Sequence, residues 1–160
     1  MAFFASYAIP PGFLHWPHRF LITTQSGEKT LSKDLFSRGE EIRNEVLGAA
    51  YVSHSAAATD AFSEPMRAFA IRNLWGDIWD RPGLDRRARS LVNLGMLAAL
   101  NRPNELKIHI RGALNNGLTR EEIGEVFLQS ALYCGVPTGS ECTRIAKQLF
   151  AELDAEAAKP

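Results

Sequence analysis

The stretch Asp85 to Gly117, DRRARSLVNLGMLAALNRPNELKIHIRGALNNG, decides the fold. Its apolar and small residues recur at helical spacing. Leu91, Leu94, Gly95 and Ala98 share one stripe, which Ala88, Leu97 and Ala99 widen. After the short connection Asn101-Arg102, Pro103 suits the opening turn of a second helix, where its missing N–H would be unpaired in any case. Leu106, Ile110, Ala113 and Leu114 form the core face of that helix, and Asn116-Gly117 closes it through a left-handed residue. So short a link makes the two helices antiparallel neighbours. The spacing therefore predicts an all-α domain built around this helical hairpin.

On the second helix Glu105, His109 and Gly112 fall at i, i+4 and i+7, on a face turned away from the core stripe. An acid and an imidazole one turn apart make a candidate acid–base pair that needs no metal or bound cofactor. The same spacing also describes an ordinary solvated helix pair, worth only about 0.2–0.5 kcal/mol. On residue type alone, the solvated pair is the better reading.

Outward from the hairpin, helix punctuation recurs and strand alternation is scarce. Ser37 with Glu40, Thr119 with Glu122, and Thr138 with Glu141 read as capping boxes, and Leu118 with Ile123 as a hydrophobic staple. Gly48, Gly117 and Gly135 sit where helices stop, and Ser63-Glu64-Pro65 starts a helix carrying Phe69, Trp75 and Trp79. Two further helices, about 120–134 and 138–156, turn Ile123, Val126 and Phe127, then Cys142, Ile145, Leu149 and Leu153, toward the core. Residues 1–32 are aromatic and proline-punctuated, then polar, and read as an irregular arm; residues 33–157 read as the helical domain.

A chain of 160 residues fits one domain and is long enough to bury about two thirds of its unfolded surface. Its 18 basic and 18 acidic residues cancel, with no long run of either sign, so nothing marks a nucleic acid or an anionic membrane as partner. A small molecule or another protein chain is expected instead. Cys134 and Cys142 have neither a CxxC nor a zinc-ligand spacing and read as buried, unpaired thiols. Met1 to Leu14 is apolar but lacks a basic leader and is broken by Pro10-Pro11, so the expectation is no secretion signal, no transmembrane helix and a cytoplasmic location.

Several segments resemble the carboxymuconolactone decarboxylase family, which shares an all-helical superfamily with the alkylhydroperoxidase AhpD. They are Ile42-Arg43-Asn44-Glu45-Val46-Leu47-Gly48, Leu74-Trp75-Gly76-Asp77-Ile78-Trp79-Asp80-Arg81-Pro82-Gly83-Leu84, Arg89-Ser90-Leu91, Glu105-Leu106-x-x-His109, Asn116-Gly117 and Tyr133-Cys134-Gly135-Val136-Pro137. Together they cover roughly residues 38–150, in the family's order. In the peroxidase branch the second hairpin helix begins like Cys-x-x-Cys-x-x-x-His, a redox dithiol. Here Arg102 and Glu105 stand at the thiol positions and only His109 remains, which excludes disulfide exchange at this site.

The resemblance implies an AhpD-like fold, a homo-oligomer of trimeric or hexameric kind, and cofactor-free decarboxylation of a carboxylated unsaturated lactone to an enol-lactone. As carbon dioxide leaves, charge spreads into a dienolate, so the site must hold an oxyanion and then deliver a proton to carbon. His109 is the preferred acid and Glu105 its partner, because imidazole titrates nearer neutral pH; the reverse assignment stays open. For the substrate carboxylates the available cations are Arg102, Arg81, Arg86 and Arg89, with Arg102 first because it lies one turn before Glu105. Trp75 and Trp79 are candidates to wall an apolar pocket.

Some positions depart from the family pattern. Tyr51-Val52-Ser53 replaces a His-Val-Asp-like segment, and Thr138-Gly139 and Cys142-Thr143 follow Val136-Pro137 where alanines and a phenylalanine are usual. These changes keep two further readings open beside the lactone decarboxylase. One is a decarboxylase, isomerase or cyclase acting on another enolisable lactone or polyketide-like acid. The other is a non-catalytic oligomeric scaffold.

Overall fold

The computed structural model describes residues 25–159, with side chains from Asp34 onward. Among them there are helices and connecting turns and no strand, so the domain is all-α. The helices are α1 (Gln25–Leu47), α2 (Ala49–Ala57), α3 (Glu64–Phe69), α4 (Arg86–Ala99), α5 (Pro103–Asn115), α6 (Arg120–Cys134) and α7 (Val136–Ala157). α3 runs directly into a wide π-helical segment, Ala70–Ile78.

The hairpin forms as its sequence requires. Asp85 caps α4 by accepting from the Ala88 N–H at 2.7 Å, Pro103 opens α5, and Gly117 at φ 85° supplies the left-handed residue beyond it. Gly48 and Gly135 also take positive φ. Thr119 and Glu122 make the reciprocal capping box at the start of α6, and the flanking Leu118 and Ile123 are both buried in one cluster.

Two of the expected caps do not form. Ser37 lies inside α1, which is already helical from Gln25; Gln25, Glu28, Lys29 and Lys33 are good helix formers and carry the helix back past the boundary expected at residue 33. Residues 25–32 are accordingly helical rather than irregular, and the arm's first 24 residues lie outside the described ones. Thr138 is not a cap because Gly135, at φ 98°, ends α6 and starts α7 directly. Its hydroxyl instead donates to the Cys134 carbonyl at 3.2 Å. Cys134, expected buried, is exposed at that break, whereas Cys142 is buried.

Two hydrophobic clusters meet at α5. Leu106, Ile110 and Ala113 join Leu94, Ala98, Ile123, Phe127, Ile145 and Leu149 in the larger one, between α4, α5, α6 and α7. Ile42, Val46 and Leu47 of α1 form the other with Trp75 and Trp79, and Ile108 of α5 packs against it. Close backbone approach makes this second cluster possible. A Cβ on Gly39 would collide with the Ile71 carbonyl, one on Gly76 with the Leu35 carbonyl, and one on Gly112 would press on Val46 and Leu47 at 3.2 Å. α1 and the π segment thus cross glycine against glycine, leaving both tryptophans facing α5.

Candidate functional site

His109 projects from α5 into this second cluster. Its ring stacks beside Trp75, with centroids 6.1 Å apart and planes 12° from parallel, and beside Trp79 at 6.3 Å and 24°. The two indoles lie 4.9 Å from one another. The π segment positions them: its widened turn, closed by the Trp79 N–H donating to the Leu74 carbonyl at 2.9 Å, keeps both buried on one side. π-helical turns are rare and, where they occur, frequently lie at functional sites.

Burial among the indoles pushes the His109 pKa down from 6.5 to about 4, because the charged form loses hydration there; the nearby Glu105 carboxylate opposes this but does not overcome it. His109 is therefore neutral at physiological pH. Glu105 is exposed on the first turn of α5, and among the described residues no hydrogen bond or ion pair joins it to His109. It acts on the imidazole through its field alone. An acid role for Glu105 that depends on its own burial finds no support in this exposed position.

The four expected arginines do not converge on His109. Arg86 pairs with Glu45 at 2.6 Å, and Arg89 donates to the Arg81 carbonyl at 2.8 Å. Arg81 lies 4.0 Å from Asp77, and Arg102 stands exposed at the start of α5.

The sequence reading passed over a different arginine. Arg43 of α1 is only 9% exposed. One terminal nitrogen, Nη2, donates to Ser55 Oγ at 2.8 Å; the other, Nη1, is buried and has no hydrogen-bond partner among the described residues. The guanidinium also lies 5.8 Å from the centre of the Tyr51 ring. It borders a cavity of about 330 Å³ whose wall includes Ser55, Thr59, Ser63, Arg67 and Trp75. Arg67 is paired with Glu40 at 2.6 Å and with Glu64 at 3.5 Å, but its Nε is buried without a partner among the described residues. Trp75 is shared: it walls this cavity and stacks beside His109. The signal was present in α1, where Gly39, Ile42, Arg43, Val46 and Leu47 make one buried stripe with a cation in its middle.

Among the described residues no group of His, Cys, Asp and Glu side chains is arranged to hold a metal ion, and no helix is long and apolar enough to cross a membrane. With neutral His109 against two indoles and a guanidinium across Trp75 that has no carboxylate partner among the described residues, the arrangement suits proton transfer to an anionic small molecule.

Known proteins point the same way. The model of the carboxymuconolactone decarboxylase family matches residues 64–148. The chain is 39% identical over 118 residues to a 4-carboxymuconolactone decarboxylase of Acinetobacter baylyi, covering 74% of this chain and 88% of that protein. It is 37% identical over 123 residues to the nitrosuccinic acid decarboxylase npaB of Metarhizium robertsii, covering 77% and 86%. An uncharacterized 15.0 kDa protein of Paracoccus denitrificans is 34% identical over 87 residues, covering 52% and 64%.

Proposed function

This chain belongs to the carboxymuconolactone decarboxylase family and is a carboxy-lyase, and from that premise we propose that it decarboxylates an unsaturated lactone of the 4-carboxymuconolactone kind, with His109 as proton donor. The observation that carries this reading is an imidazole stacked on two indoles and held neutral by burial.

The C–CO₂ bond breaks, and its electron pair passes into the conjugated lactone as a dienolate. Neutral His109 suits the resting site, because an imidazolium there would bind and stabilise the substrate's reacting carboxylate. As carbon dioxide leaves and the negative charge moves onto the dienolate, that charge raises the His109 pKa and the imidazole takes up a proton from solvent. The two indole faces hold the resulting cation through their quadrupoles. After carbon dioxide leaves, the imidazolium pairs with the dienolate oxygen and gives its proton to carbon. Glu105 favours proton uptake through its field. Arg102, exposed one turn earlier, steers the anion, while Arg81, Arg86 and Arg89 keep structural roles beside their protein partners.

The test is carbon dioxide release from 4-carboxymuconolactone. His109→Asn is expected to lower kcat by roughly 10²–10⁴-fold while leaving the helical spectrum unchanged. No release from folded wild-type protein, or equal release from the variant, overturns the reading. The similarity to a nitrosuccinic acid decarboxylase supports a second substrate, an acyclic diacid whose nitro group accepts the electron pair. Release from nitrosuccinate but not from the lactone selects it.

We further propose that the enzyme is cytoplasmic, needs no cofactor and assembles as a homo-oligomer. Support for assembly is an exposed apolar surface on α6 and α7, with Leu128, Leu132 and Val136 beside a groove of about 1050 Å³.

A further inference from the structure

We propose that the Arg43 cavity is a carboxylate-binding site that holds the carboxylate the substrate keeps, not the one it loses. The proposal rests on the decarboxylase reading for its place in catalysis, but not for the binding itself.

A guanidinium excluded from water is costly unless its N–H groups are paired. Arg43 has no carboxylate partner among the described residues, and Nη1 is left without any. The side chain is nevertheless held in place, by Ser55 on one nitrogen and by the Tyr51 ring. Arg67 borders the same cavity, its charge balanced by Glu40 and Glu64 and its buried Nε without a partner among the described residues. A carboxylate entering the cavity supplies the missing acceptor for Nη1. Ser63 and Thr59 add hydroxyls to the wall. The volume of about 330 Å³ lies at the small end of ligand sites, enough for a short acid and not for a peptide or nucleotide.

Which carboxylate binds there follows from the energetics of bond cleavage. An arginine on the departing carboxylate stabilises the ground state and loses that interaction as neutral carbon dioxide forms, so it slows the reaction. An arginine on the retained carboxylate interacts equally before and after. The apolar indole faces beside His109 suit the departing group, and Trp75 joins the two regions. The site therefore selects a substrate with two acid groups, one anchored at Arg43 and one presented toward the indoles.

The experiment is a titration of intrinsic tryptophan fluorescence with succinate, which needs no turnover, because Trp75 walls the cavity. The expected result is a saturable change with wild-type and His109→Asn proteins and none with the neutral diamide succinamide. Arg43→Gln is expected to weaken succinate binding roughly tenfold or more, through loss of a charge-assisted contact. Ala58→Glu, an exposed position at the cavity wall, introduces a competing carboxylate without disturbing the core and is expected to weaken binding similarly. With lactone as substrate, Arg43→Gln is expected to raise KM more than it lowers kcat. Absence of saturable binding to wild-type protein, or unchanged affinity in Ala58→Glu or folded Arg43→Gln, overturns the proposal. Arg43-dependent succinate binding without decarboxylation leaves the site standing and removes the lactone reading. Turnover with a KM indifferent to Arg43 does the reverse.

Discussion

His109 carries the most testable chemistry at the scale of single residues. Its folded pKa of about 4 lies below its ordinary 6.5, so between these values the unfolded chain binds a proton that the folded chain refuses. Stability therefore falls as pH drops from 6.5 toward 4 and is insensitive to this group below that, a loss on the order of 3 kcal/mol. Urea unfolding at several pH values is expected to show this acid-side loss in wild-type protein and a smaller one in His109→Asn. Glu105 raises the imidazole pKa, so Glu105→Gln is expected to move it further below 4, as read from the ring proton shifts by NMR. An unchanged or higher value removes Glu105 from the electrostatics of the site. The spacing of Glu105 and His109 was visible in the sequence, but the desolvation of only one of them was not. Burial depends on Trp75 and Trp79, which come from a segment thirty residues away in the chain.

The π segment and α1 set the site at the scale of elements. Gly39 and Gly76 let two backbones touch, and neither neighbouring carbonyl can move aside as a flexible side chain can. Gly76→Ala is expected to cost about 1–3 kcal/mol by overpacking and to alter tryptophan fluorescence, since Trp75 adjoins it. An unaltered melting temperature and spectrum would contradict so close a crossing. At α6 the Thr119 cap is a smaller, local contribution: Thr119→Ala is expected to cost about 1 kcal/mol in denaturant unfolding with no change at the tryptophans. Thr119, Ser37 and Thr138 carry the same pattern, yet only Thr119 has a non-helical residue ahead of it. A cap motif inside a continuing helix is simply a solvated face.

At the scale of the whole molecule, α5 separates two cores and presents His109 to one of them, while α6 and α7 expose Leu128, Leu132 and Val136 on the outside. Sedimentation velocity is expected to give a species larger than the 17.7 kDa chain, and Leu132→Asp to shift it toward that mass; a wild-type monomer would refute assembly. Much of this architecture was legible in the chain itself. The 3.6-residue stripes of Leu91, Leu94 and Ala98 and of Leu106, Ile110 and Ala113, with Gly117 and Gly135 as stops, determined helices, hairpin and larger core, because periodicity and backbone freedom are local properties. The tertiary structure alone decided which charged groups lose water. Arg43 lies on the apolar stripe of α1 with Ile42, Val46 and Leu47, but its guanidinium loses water only because α2 and the π segment cover it. Arg86, equally basic, finds a carboxylate partner in Glu45, whereas Arg89 reaches the Arg81 carbonyl and keeps a buried Nε without a partner among the described residues. Desolvation and pairing are sums over neighbours from distant elements, so a sequence can nominate the charges of a site, but only packing decides which remain unpaired.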